Sequence, residues 1–132
     1  MRVFSLAEES AGQKGWPMGQ DEGRLQIEVP TQDDRSQVVF IESGVDRDGD
    51  TIAWIWSKAA DSDATDDPWA LLALNSELSY GRIALRDDEI VVAHALYDAM
   101  ADLDEVGKTI FWVAFAADEL ECNLYGRHVD VL

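Results

Sequence analysis

Cysteine is nearly absent from this chain. Cys122 stands alone, so no disulfide can close within it and nothing implies an oxidising compartment. Basic residues are also scarce: ten Lys and Arg face 27 Asp and Glu, for a net charge of −17. The acid is spread from Glu8 to Asp130 instead of forming a terminal block. Such a surface repels phosphate backbones and anionic membranes, which argues against nucleic acid as a partner. No apolar run approaches the roughly 20 residues needed to cross a bilayer. Met1 to Leu6 runs directly into Glu8 and Glu9 without the apolar core of a signal peptide. The expectation is a cytoplasmic protein without a membrane role.

Catalytic groupings are missing as well. The chain has no G-x-S-x-G turn, no phosphate-cradling glycine loop and no HExxH, and its carboxylates are too numerous for any acid/base pair to stand out. The two histidines are His94 and His128. Cys122, His128 and Asp130 lack the paired short spacing of a zinc site. Asp46-Arg47-Asp48-Gly49-Asp50 resembles a calcium loop, but Gly49 comes fourth where an EF-hand needs glycine sixth, and Ala53, Trp54 and Ile55 follow directly. A hairpin turn at Asp48-Gly49 is the better reading. The expectation is therefore no enzyme, no metal and no cofactor. A deep pocket on which His94 or Cys122 converged would point to an enzyme instead.

What is present suits a folded domain: 47% apolar and 28% charged residues over 132 positions are enough for one core. Residues 1–132 are read as a single α+β domain, with a weak helix and irregular lead-in over 1–20 and a tail over 126–132. Phe4, Leu6, Ala7 and Ala11 fit one or two helical turns, closed by Gly15 and Trp16-Pro17. Gln20 to Gly23 reads as a polar connection. In Arg24 to Pro30 the apolar Leu25, Ile27 and Val29 alternate with polar residues, a strand with one wet face, and Pro30 argues against a central position. Gln37–Ser43 and Thr51–Ser57 complete a three-stranded antiparallel meander. The third strand presents Ile52, Trp54 and Trp56 on one face and Ala53 and Ile55 on the other.

Asp67 followed by Pro68 marks a helix start running to about Leu78. Tyr80–Arg86 and Ile90–Tyr97 form a β-hairpin. Asp102 with Glu105 makes a capping-box-like start for a C-terminal helix, which Gly126 is placed to end. Its stripe is Leu103, Val106, Ile110, Val113, Ala117, Leu120 and Leu124. Thr109 to Phe115 is rich in β-forming residues, but the flanking cap and the sequence Ala116 to Glu121 favour helix.

The order helix, three strands, helix, two strands, helix resembles the type III secretion chaperone fold. Leu71 to Leu85, with Leu74-Asn75 leading into Gly81-Arg82, continuing through Glu89 to Val92, is similar to the YbjN-like relatives of those chaperones. The detailed similarity covers about forty residues, from Pro68 to near Asp104. The resemblance implies an acidic cytoplasmic homodimer that binds a protein segment or regulates a partner without ATP or cofactor, and it supplies no catalytic residue. The short first helix and the tail after Gly126 depart from the pattern, which makes the YbjN-like branch the safer comparison.

If the apolar stripe of the last helix faces the sheet, Phe111, Trp112 and Phe115 fall on a second face, since successive residues turn by 100°. Cover for them could come from a dimer mate, a bound client segment or the N-terminal helix through Phe4, Leu6 and Trp16. Trp54, Trp56 and Trp69 are the other candidate anchors, with burial in the core as the alternative for strand tryptophans. The functional expectation is a non-catalytic binding module, acting as a homodimer on a protein partner that offers a basic or amphipathic segment. The alternative is an acidic inhibitor or immunity-type protein that blocks a basic face of its partner.

Overall fold

The structure, a computed structural model, describes residues 1–126. It is α+β: one antiparallel sheet of six strands with helices on one side. Helix α1 spans Arg2–Lys14. Strands β1 (Met18–Asp21), β2 (Arg24–Pro30), β3 (Ser36–Val45) and β4 (Thr51–Asp61) follow. Then come α2 (Pro68–Leu74), β5 (Arg82–Arg86), β6 (Glu89–Tyr97) and α3 (Leu103–Glu121), the last continuing as a wider helical turn over Cys122–Gly126. Among the described residues no helix is long and apolar enough to cross a membrane.

The sheet order is β1-β2-β3-β4-β6-β5, so the hairpin joins the meander through its second arm. Strand β4 is internal, as its apolar content implies. Several features differ from the sequence reading: α1 is a regular helix of thirteen residues where one or two turns were expected, and β4 continues past Ser57 to Asp61. Residues 18–21 form a strand, not a connection, joined to β2 by a tight turn in which Glu22 and Gly23 both take positive φ, of 53° and 80°. Such a turn matches the twist of paired strands. As a result β2 is not an edge strand despite Pro30. Strand β1 is short and reaches along β2 only as far as Ile27, so Pro30 lies beyond it. The helix after Asp67 is also shorter than read, ending at Leu74 before a single tighter turn over Asn75–Glu77.

The strand period of two sorts the side chains cleanly. Leu25, Ile27, Val39, Ile41, Ala53, Ile55 and Val92 are buried beneath α3, which returns Val106, Ile110, Val113 and Ala117. Helix α1 packs on α3 through Val3, Ala7 and Ala11. The approach is close at Gly107, where a Cβ would come within 2.7 Å of Ser10 Oγ. The caps follow the sequence signals: Asp102 accepts from the Glu105 N–H at 2.8 Å, and Asp67 from the Ala70 N–H at 3.3 Å. Helix α1 is capped from a distance, because the Asp98 carboxylate accepts from the N–H groups of Arg2 and Val3. Asp118 is 1% exposed on α3 and is held by the Arg35 guanidinium at 3.1–3.2 Å. That pairing pushes the Arg35 pKa up.

Candidate functional site

Helix α3 turns its aliphatic stripe to the sheet, and the three following aromatics cannot all follow it. Phe111 and Phe115 are half-buried at the edge of the core, while Trp112 stays 45% exposed. The rings form a cluster, with Trp112 edge-on to Phe111 at 5.0 Å and to Phe115 at 5.5 Å between centroids. Helix α1 packs on the Gly107 side and leaves Trp112 open.

Opposite Trp112 and Phe115 runs the segment Leu78-Ser79-Tyr80, and between the two lies a groove of about 420 Å³. A second hollow of about 240 Å³ shares Glu77, Leu78, Ala116 and Glu119 with it and extends inward to Val92 and Leu120. Among the described residues, the charged ones lining this double groove are Glu77 and Glu119. The walls are therefore apolar and aromatic, and the rim is acidic.

Side chains hold the loop that makes the far wall. The Asn75 carboxamide accepts from the Ile83 N–H at 2.6 Å and donates to the Ile83 carbonyl at 3.4 Å, occupying the outer edge of β5 as a neighbouring strand would. Gly81 takes φ +89°, and a Cβ there would meet Val92 Cγ1 at 2.7 Å, so glycine is needed on both counts. The Gly81 N–H donates to His94 Nδ1 at 3.0 Å. That bond needs a neutral imidazole, and burial, aided by the Arg82 charge against the opposing effect of Glu105, lowers the His94 pKa. His94 is thus a tie for the groove wall.

The strand tryptophans lie on the opposite face of the sheet, which no helix among the described residues covers. Trp54 is 42% exposed and lies over Gly44, where a Cβ would come within 2.7 Å of the indole nitrogen. Trp56 is only 4% exposed, but its cover is not the helical core. It stacks on Phe40 at 4.5 Å, with the Arg86 guanidinium 4.3 Å from its ring and that of Arg24 4.3 Å from Phe40. Glu42 binds this stack together, accepting from Trp56 Nε1 and from Arg86 at 2.8 Å each. Trp69 stands apart on α2, 78% exposed, on a helix with no buried residue. The six candidate anchors therefore separate into three places: the α3 groove, the open sheet face and α2. Leu78, Tyr80, Glu77 and Glu119 complete the first place and were not singled out from sequence. Phe40, Glu42, Arg24 and Arg86 complete the second.

Among the described residues, those that could have signalled catalysis do not meet. His94 faces Glu105 at the start of α3, whereas Cys122 follows its end, about 25 Å along the helix at 1.5 Å per residue. Burial pushes the Cys122 thiol pKa up, leaving it protonated and a poor nucleophile. His128 and Asp130 lie outside the described residues. Carboxylate oxygens of Asp46, Asp48 and Asp50 fall within 4.8 Å of one another. Asp46 already accepts from the N–H groups of Asp48 and Asp50 at 2.9 Å, and Gly49 takes φ 86°, the contacts of a polar hairpin turn. Compared with known proteins, the chain matches no family model and no curated protein sequence.

Proposed function

We propose that this chain is a non-catalytic protein-binding module whose α3 groove takes up a cationic, amphipathic segment of a partner protein. The observation that carries the proposal is Trp112: a large aromatic side chain left 45% exposed on a well-packed helix, bordering an apolar groove whose charges among the described residues are Glu77 and Glu119. Exposed indole beside a concavity is the usual form of an interface anchor. The acidic rim, on a chain of net charge −17, selects a basic segment and speeds its approach. The resemblance to YbjN-like proteins and secretion chaperones supports the same class of activity, a homodimer that binds a protein segment and acts as chaperone or regulator.

The acidic-inhibitor reading rests on the net charge alone and makes no demand on Trp112. Titration calorimetry with a designed Leu/Arg amphipathic peptide separates the two. Saturable binding that Trp112→Ala removes supports the groove. Binding that Trp112→Ala leaves intact, but that neutralising surface carboxylates away from the groove removes, supports the inhibitor. No binding at low salt contradicts both.

A further inference from the structure

The uncovered face of the sheet differs electrostatically from the rest of the molecule. Register places Arg24, Arg82 and Arg86 on it together with Asp21, Glu28, Glu42 and Glu89. Lys58 adds a cation, bridging Asp61 and Glu89 at 2.8 and 3.0 Å. Acid and base are thus nearly balanced there, while the whole chain carries −17. Most of the net negative charge must therefore lie elsewhere. The same face exposes Trp54, Val38 and Tyr97, each more than 40% accessible, around the Phe40–Trp56–arginine stack.

We infer that this open sheet face is the seam of a homodimer, its occupant being a second copy of the chain. Two copies at −17 repel each other over most orientations, and only a face with balanced charge lets them meet without that penalty. A basic partner would be drawn instead to the acidic surfaces, away from Arg24, Arg82 and Arg86. A two-fold axis can also bring arginines of one copy near carboxylates of the other, each such contact then occurring twice. Size agrees. Six strands spaced about 4.8 Å apart span roughly 24 Å, and strands of seven to nine residues run about 23–30 Å, giving on the order of 600 Å² before side-chain relief is counted. A stable interface buries about 800 Å² per partner.

The inference rests on the homodimer part of the proposed function but not on the groove. Sedimentation equilibrium over a concentration series reads it directly. The expected result is a mass of twice the 14.7 kDa chain, with association strengthened several-fold as salt screens the mutual repulsion. Trp54→Glu is expected to weaken the dimer by about tenfold or more, the effect of losing a central anchor. Val38→Glu, at a second exposed position, should do the same, with circular dichroism confirming that both variants fold. Trp112→Ala should leave the dimer unchanged. A monomer at every concentration and salt overturns the dimer and its seam together. A dimer insensitive to Trp54→Glu and Val38→Glu overturns the seam alone, and one broken by Trp112→Ala instead moves it to the groove. Peptide binding by the groove stands or falls separately in each case.

Discussion

Neighbouring residues on α3 carry opposite duties, and substitution separates them. Ile110 is fully buried between helix and sheet, so Ile110→Ala removes packing and is expected to lower unfolding free energy by about 2–5 kcal/mol. Trp112, two positions on, points outward, and Trp112→Ala should change stability by less than about 1 kcal/mol while abolishing peptide binding. Urea unfolding of both variants, read beside calorimetric binding, checks the contrast. Gly81 is a third case: its φ of +89° and the proximity of Val92 make Gly81→Ala costly by about 1–3 kcal/mol in the same urea assay. The effect on binding should exceed the effect on stability, because the groove wall starts at this residue. Among the polar residues, Asp118 depends on Arg35. Arg35→Met strands a buried carboxylate and should lower the melting temperature more than Arg35→Met combined with Asp118→Leu, which removes both charges.

At the level of elements, the segment from α2 to β5 is lightly packed, since β5 buries no residue. No residue of α2 is buried, and the segment after it is held by Asn75 and by the Gly81 N–H to His94 Nδ1 bond. The His94 pKa lies below its ordinary 6.5 in the folded chain. Between the two values the unfolded chain binds more protons, so falling pH favours unfolding. The contribution is complete above about 6.5 and is lost as pH drops through the lowered folded value. The remaining charge of this −17 chain adds a pH dependence of its own. The useful quantity is therefore the difference between wild type and His94→Gln in urea unfolding at each pH. Wild type should lose stability relative to the variant as pH falls from 7 toward 5, and a constant difference would contradict the tie.

Much of this architecture could be read from residues. Asp67-Pro68 and Asp102 with Glu105 mark helix starts because a carboxylate before a helix meets unpaired N–H groups. The alternation in Leu25, Ile27 and Val29 marks a half-buried strand. Strand β1 escaped because Met18-Gly19-Gln20-Asp21 buries nothing: an edge strand exposed throughout has no pattern to show, and only the Glu22-Gly23 turn hints at it. The alternation in β4 also revealed two faces without saying which one the helices cover. The smaller pair, Ala53 and Ile55, faces α3, and the tryptophans face outward, where arginines cover Trp56. The α3 aromatics were legible from helical phase. Their groove was not, because its far wall comes from Leu78 and Tyr80, more than thirty residues earlier in the chain.

For the molecule as a whole, charge sets the terms of association. A groove rimmed by Glu77 and Glu119 and a sheet face of balanced charge should respond to salt in opposite directions. Peptide binding should weaken as ionic strength screens attraction, while self-association should strengthen as it screens repulsion. A single salt series read by calorimetry and by sedimentation tests both signs on one preparation. If both processes moved together, one surface would be serving both. Binding in the groove is read most directly from the indole N–H signal of Trp112 in a nitrogen-15-labelled sample titrated with the Leu/Arg amphipathic peptide. This signal is expected to shift and saturate along with the amides of Leu78 and Tyr80, with the Trp54 and Trp69 indoles unmoved. A Trp112 signal that stays in place while the peptide binds elsewhere would contradict it.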